Sequence, residues 1–301
     1  MNNLFESSGA FDAHVHLGPD LVPRAQPAWD YARDAAAAGM TGAVIKDHCA
    51  PTSGVAAALN AAYPGGPCFV GSIVLNPAVG GLNPHAVRTA LATGGRVVWF
   101  PTYGARFQIQ CEGREAMPFP MPPDFNGLTI LDDSGSLLPE VWEILRVIAQ
   151  FDAVLATGHL SPAESLRLLG AGADVGVRRM VVTHASALVP AMSIDDQRAA
   201  VEAGAMIEHS LRACGADSRH PLSHRELARQ IRAIGVPHVL VSSDFGQTGN
   251  GAPVAAFAKH LARLAAEGFS DSEIGELSGA APRRLILQHP VRTATASECP
   301  R

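Results

Sequence analysis

Eight short apolar runs recur along the chain, each bounded by turn residues and followed by a segment with helical signals. They are Ala10–His16, Thr41–His48, Cys68–Asn76, Arg96–Thr102, Ala153–His159, Arg179–Ala185, Gly204–Ser210 and His238–Asp244. Most are near-continuous Val, Ile and Leu, as a strand buried on both faces of a parallel sheet reads. Parallel neighbours need crossover connections, and the intervening segments supply them. These are Pro27–Gly39, Thr52–Tyr63, Asn83–Thr93, Pro139–Phe151, Ser161–Gly170, Ile194–Ala203, Ser223–Ile234 and Pro253–Glu267, with a last helix near Ser270–Gln288. Asn83-Pro84 pairs an N-cap with a first-turn proline. Ser161-Pro162-Ala163-Glu164 reads as a capping box. Strand–helix repeated eight times predicts the α/β class and a (β/α)8 TIM barrel. An open doubly wound sheet alternates in the same way, but no Gly-x-Gly-x-x-Gly follows the first run. With no linker or shift in composition, residues 1–289 read as one barrel domain and 290–301 as a polar tail.

Composition removes several classes of function. Lys and Arg number 23 against 28 Asp and Glu, a net charge of −5, so no general attraction to nucleic acid or anionic membrane is expected. No apolar stretch of spanning or signal length is present. Cys49, Cys68, Cys111, Cys214 and Cys299 are odd in number, widely spaced and free of any Cys-x-x-Cys. Reduced thiols and a cytoplasmic location fit that usage better than a disulfide framework.

One connection is anomalous. Tyr103 to Leu137 spans 35 residues, with Pro118, Pro120, Pro122 and Pro123 and little periodicity. It leaves the C-terminal end of the fourth run, where barrel active sites lie, and loops this long are commonly functional. Its Tyr103, Arg106, Gln108, Gln110, Arg114 and Phe119 suit a lid over a polar or anionic ligand; a plain surface excursion is the alternative.

Polar residues end the runs: Asp12, His14 and His16; Lys46, Asp47 and His48; His159; His184; Glu208 and His209; Asp244. In a barrel these ends share one rim. Burying so many ionisable groups together is costly unless something compensates, and a divalent cation does. Residues two apart on a strand face the same side, so His14 and His16 can share an ion. Imidazoles with a carboxylate are a ligand set for Zn2+, and also for Mn2+ or Fe2+. Asp12 reads as a support for His14. Glu208 and His209 face opposite ways, so one of them looks inward. Arg24 and His48 are candidate substrate contacts with Tyr103 and Arg106. His85, His220, His224, His238, His260 and His289 read as surface or structural.

The stretches AFDAHVHLG, LATGHLS, VVTHAS and VSSDFG, with the closing GAAPRRLI, resemble the amidohydrolase superfamily of TIM-barrel, metal-dependent hydrolases. The resemblance implies His14 and His16 as ligands of a first metal. It implies His159 and His184 as ligands of a second or as transition-state stabilisers, and Asp244 as ligand and base. One departure stands out. Many members bridge two metals with a carboxylated Lys or a Glu at the end of strand 4, where this chain has Trp99-Phe100-Pro101-Thr102. A carbamylated Lys46 is the candidate replacement, giving two metals; a one-metal site with Lys46 paired to Asp47 or Asp244 is the alternative.

The expected chemistry is hydrolysis of an amide, cyclic amide, lactone or ester of a small polar molecule. Asp244 moves the proton, and His184 or His209 helps hold the oxyanion. Alternatives are non-oxidative decarboxylation of an aromatic or unsaturated acid, phosphoester hydrolysis, and a non-catalytic metal-dependent ligand-binding barrel. Substrate and oligomeric state stay open, a homo-oligomer being compatible.

Overall fold

A computed structural model describes residues 5, 9–117, 121, 124–215, 218 and 220–287. Eight parallel strands lie in sequence order: β1 (Phe11–Val15), β2 (Gly42–Ile45), β3 (Cys68–Val74), β4 (Gly95–Trp99), β5 (Val154–Ala156), β6 (Arg179–Val182), β7 (Met206–Ser210) and β8 (Val239–Ser242). The barrel closes just past β8, where the Asp244 N–H donates to His14 O (2.7 Å) and the His16 N–H to Phe245 O (2.8 Å). The strands stop short of the sequence-predicted run ends. Lys46, His159, His184 and Asp244 therefore sit in the first residues of the following loops.

Helices alternate with the strands: α1 (Ala28–Ala37), α2 (Ser53–Ala62), α3 (Pro84–Ala92), α4 (Arg106–Glu112), α5 (Pro139–Gln150), α6 (Pro162–Asp174), α7 (Ile194–Glu202), α8 (His224–Ile234), α9 (Pro253–Ala265), α10 (Asp271–Gly275) and α11 (Ala281–Ile286). The predicted caps form. The Asn83 side chain accepts from the N–H groups of His85 and Ala86, and Ser161 and Glu164 make a reciprocal capping box. The last predicted helix is interrupted. Glu276–Ala280 widens to π geometry between α10 and α11, with Pro282 unable to donate just beyond it.

Two apolar layers hold the barrel. Inside, Phe11, Val44, Val70, Val97, Val154, Val181 and Leu240 stack, plugged at the strand starts by Ala281, Leu285 and Ile286 of α11. Arg179, the first residue of β6, donates to Leu285 O (2.9 Å) and fixes that plug. Outside, Ile45, Phe69, Val182, Ile207 and Val241 meet helix residues such as Tyr31, Ile144, Leu168, Ile231 and Phe257. Trp99 tops the inner stack, so the rim above it forms a cup.

The long post-β4 connection contains α4, which its sequence does not suggest. The Arg106 N–H donates to Leu128 O and the Leu128 N–H to Gly104 O, both at 2.7 Å, clamping the base of the excursion. Phe119 and the four prolines lie outside the described residues, as do Gln288, the predicted 290–301 tail and Cys299. Cys49, Cys68, Cys111 and Cys214 are unbridged. Among the described residues, no helix is long and apolar enough to cross a membrane.

Closure depends on Gly246. Its φ is +133°, and a Cβ there would stand 1.9 Å from His16 O. Gly246→Ala is expected to cost about 2 kcal/mol or more and to lower the thermal midpoint by several degrees. Gly54→Ala, where a Cβ meets nothing within 4 Å, is the control and should be neutral or slightly stabilising.

Candidate metal centre

Simple alternation along β1 does not by itself turn His14 inward. Phe11 and Ala13 already face the barrel interior, while Val15 and Leu17 pack in the outer layer. The pairing with β2 shifts register between Asp12 and Val15. That irregularity changes the phase, so that Ala13, His14 and His16 all look in. His14 Nε2 and His16 Nε2 are then 3.3 Å apart, and each is 3.2 Å from Asp244 Oδ1. Two nitrogens bound at ~2.05 Å to one tetrahedral ion stand about 3.3 Å apart. These three residues are a group able to hold a metal ion.

A second pair of imidazoles faces the first. His184 Nε2 is 3.0 Å from His159 Nε2, and the His14 and His184 rings stack at 6.0 Å between centroids. Backbone strain places two of these groups. His184 has φ +28° and Asp244 φ +53°, each a left-handed conformation costing on the order of 1–3 kcal/mol in a non-glycine residue. Lys46 is fully buried, with Nζ 3.0 Å from His14 Nε2 and 4.4 Å above the Trp99 ring. Trp99 thus fills the strand-4 position at which the resemblance implied a bridging ligand.

The electrostatics suit cation ligation. Burial, reinforced by neighbouring positive groups, holds His16, His48 and His159 well below the ordinary imidazole value, and burial takes His184 down to about 4. These rings are neutral at physiological pH, the state in which imidazole ligates. Burial pushes the Asp244 carboxyl up, but His14, the His16 hydrogen bond and Arg212 outweigh it and leave it well below the carboxylate range. Burial lowers the Lys46 ammonium to about 8. The donor set therefore fits a divalent cation: neutral nitrogens on His16, His159 and His184, one ionised carboxylate, and His14 Nε2 converging with them.

Second contacts orient the ligands. Glu208 Oε1 accepts from His14 Nδ1 at 2.9 Å, while Oε2 accepts from the His184 N–H at 3.0 Å. Ser242 also donates to Glu208. Burial raises the Glu208 carboxyl, yet His14, His184 and Ser242 together bring it down to about 2. Glu208 holds the ring of His14, while the support expected from Asp12 reaches the His14 backbone. Asp12 Oδ1 takes the backbone N–H groups of Ser243 (2.9 Å) and His14 (3.3 Å).

The cup above these groups has a volume near 210 Å³. His16, Lys46, His159, His184 and Asp244 line it, as do the predicted contacts Arg24, His48 and Tyr103. Arg24 is paired with Asp20 at 2.6 Å, and His48 Nδ1 lies 2.9 Å from Thr102 Oγ1. His14 lies fully buried beneath the cup, and two other predicted residues are not brought to it. Arg106 is exposed on the outside of α4. His209 points away from the cup with Ile207 and Leu211 of the outer layer, its Nδ1 2.9 Å from Ser186 Oγ, because period-two alternation gives the inward place to Glu208. Gln108, read from sequence as a lid residue, lines the cup, and so do Arg212, Glu112, Gln247 and His220, which were not assigned to it. His220, read from sequence as surface or structural, is brought there by the loop after β7. A long loop hides such a residue from periodicity arguments.

The chain belongs to DUF6282, a family of unknown function, which matches residues 9–208. That stretch holds His14, His16, Lys46, His159, His184 and Glu208 and ends before Asp244. No curated protein matches the sequence. In structure the chain is similar to an amidohydrolase from Pseudomonas aeruginosa, at 11% identity and TM-score 0.64, over 94% of this chain and 98% of that one. It is also similar to the probable dipeptidase PvdM from the same organism, at 14% and 0.62, over 92% and 95%. A third likeness is to an organophosphorus hydrolase from Deinococcus radiodurans, at 12% and 0.60, over 92% of each chain. What is shared at these identities is the barrel, the fold that the sequence motifs implied.

Two outcomes follow. Glu208→Gln is expected to weaken divalent-metal affinity about 10–100-fold, read by competition with a chromophoric chelator. In metal-stripped protein, unfolded imidazoles titrate near 6.5 while folded His184 and His209 titrate near 4. The unfolded chain binds more protons between these values, so stability should fall as pH drops from 6.5 to 4. His209→Asn should flatten that slope by up to ~1.4 kcal/mol per pH unit, measured by urea unfolding.

Proposed function

We propose that this protein is a metal-dependent hydrolase of an amide, cyclic amide, lactone or ester bond in a small polar molecule. The observation that carries the reading is the convergence of His14, His16, His159, His184 and Asp244 at one buried cup, with the neutral rings of His16, His159 and His184 beside an ionised carboxylate. Zn2+ suits this donor set, and Mn2+ or Fe2+ share the same preferences. When bound, the ion supplies Lewis acidity that polarises an acyl oxygen and makes water a nucleophile near neutral pH. His14, His16 and Asp244 hold one ion. His159 and His184 hold a second, or face the acyl oxygen. Lys46, with its ammonium lowered to about 8, is the residue for a bridging carbamate: its neutral amine adds to carbon dioxide and loses a proton. Asp244 receives the proton of the attacking water and passes it to the leaving group. Arg24, Arg212, His48 and Tyr103 contact the substrate. With the four described cysteines unbridged, we place the protein in the cytoplasm.

Decarboxylation on a single ion is the second reading. It is favoured by Trp99 at the strand-4 position and by two guanidinium groups, Arg24 and Arg212, on the cup. Carbon dioxide release without incorporation of water oxygen would select it over hydrolysis.

Elemental analysis of fresh protein should find one or two divalent ions per chain. A screen of amides, lactones, esters and aromatic acids should then find a turnover abolished by chelation and restored by Zn2+. Asp244→Asn is expected to lower that turnover about 10²–10⁴-fold. An undiminished rate in that variant would refute the role of Asp244.

A further inference from the structure

The imidazoles of the cup differ in how their far sides are held. His14 Nδ1 meets the Glu208 carboxylate at 2.9 Å. His16 Nδ1 and His184 Nδ1 have no hydrogen-bond partner among the described residues. His159 Nδ1 meets a carboxamide, Gln108 Oε1, at 2.8 Å. That carboxamide is almost fully buried and comes from α4, in the post-β4 excursion, not from the barrel wall.

A carboxamide oxygen and nitrogen are interchangeable in shape, so its orientation needs a cause. Glu112, one helical turn on, supplies one: its Oε2 accepts from Gln108 Nε2. An ionised carboxylate only accepts, so the Gln108 amino group must turn toward it. Gln108 Oε1 then faces His159, and an oxygen there only accepts. His159 must therefore carry its proton on Nδ1, leaving the Nε2 lone pair aimed into the cup beside His184. The clamp of Arg106 and Leu128 at the base of α4 keeps this arrangement in register.

We infer that Gln108, oriented by Glu112, is a positioning residue that fixes the tautomer of His159, so that α4 completes the half of the site formed by His159 and His184. The excursion is then part of the site's construction as well as its cover. The inference rests on the proposed ligand role of His159 only for its consequence in metal binding; the tautomer itself does not depend on that role.

Long-range proton–nitrogen correlation spectra of 15N-histidine-labelled, metal-stripped full-length protein read the tautomer directly, with His159→Gln assigning the signal. Wild type and Gln108→Glu are expected to show His159 protonated on Nδ1. Gln108→Leu and Glu112→Gln are expected to show a mixed or Nε2-protonated ring. If Gln108→Leu fails to fold, Glu112→Gln carries the comparison, because Glu112 is only half-buried. Zn2+ titration should show a 10–100-fold weaker binding step in Gln108→Leu, restored in Gln108→Glu. An Nδ1-protonated His159 in both Gln108→Leu and Glu112→Gln would overturn the inference. Should wild-type protein bind no metal, the hydrolase reading fails while the tautomer result still decides this one.

Discussion

Desolvation at the barrel rim is the constraint on which the rest of this structure depends. Lys46, His16, His159, His184 and Asp244 are buried around one cup, with His14 and Glu208 buried beneath it. Isolated charges there would cost several kcal/mol each. The protein meets that cost by polarisation into roles. Most of the rings become neutral, the two carboxylates stay ionised by hydrogen bonding and nearby positive charge, and the single ammonium is weakened. What remains is a concentration of lone pairs facing one space. Without a cation their mutual approach, 3.0–3.3 Å between imidazole nitrogens, is poorly compensated.

Such a rim requires backbone that ordinary strands do not provide. The register shift in β1 turns His14 inward. Left-handed conformations at His184 and Asp244 aim two further groups, and Gly246 lets the loop after β8 pass against His16. These departures cluster at one end of the barrel, while the opposite end carries the apolar plug of α11. The division matches the general behaviour of this fold, in which packing at the strand starts supplies stability and the strand ends carry function.

Glu208 links several of these features. It holds the ring of His14, the backbone of His184 and the hydroxyl of Ser242. One buried carboxylate thereby ties β1, β6, β7 and β8 at the level of the site. Gln108 plays a comparable part for His159, but from a helix outside the barrel. The two halves of the cup are thus supported differently, one from within the sheet and one from an excursion.

Much of this was legible in the sequence. Period and composition gave the eight strands, because a parallel strand covered on both faces has to be apolar almost throughout. The placement of His14, His16, Lys46, His159, His184 and Asp244 at run ends was equally readable, since the rim is where a barrel strand can turn polar. Side-chain direction was not. Period-two reasoning left Glu208 and His209 equivalent, and only the phase of β7 within the closed sheet chose Glu208. The same reasoning paired His14 with His16 but could not reveal the register shift that turns both inward. Arg106, Gln108 and His220 lie on long connections, where no strand period ties residue number to the barrel axis. Their positions were set by which part of each loop packs against the rim, a matter of contacts between segments far apart in the chain. Local sequence therefore determined the strands, the helices and the chemical kinds present at the rim. Tertiary closure decided which of those groups face one another, because that depends on register and loop packing, which no single segment encodes.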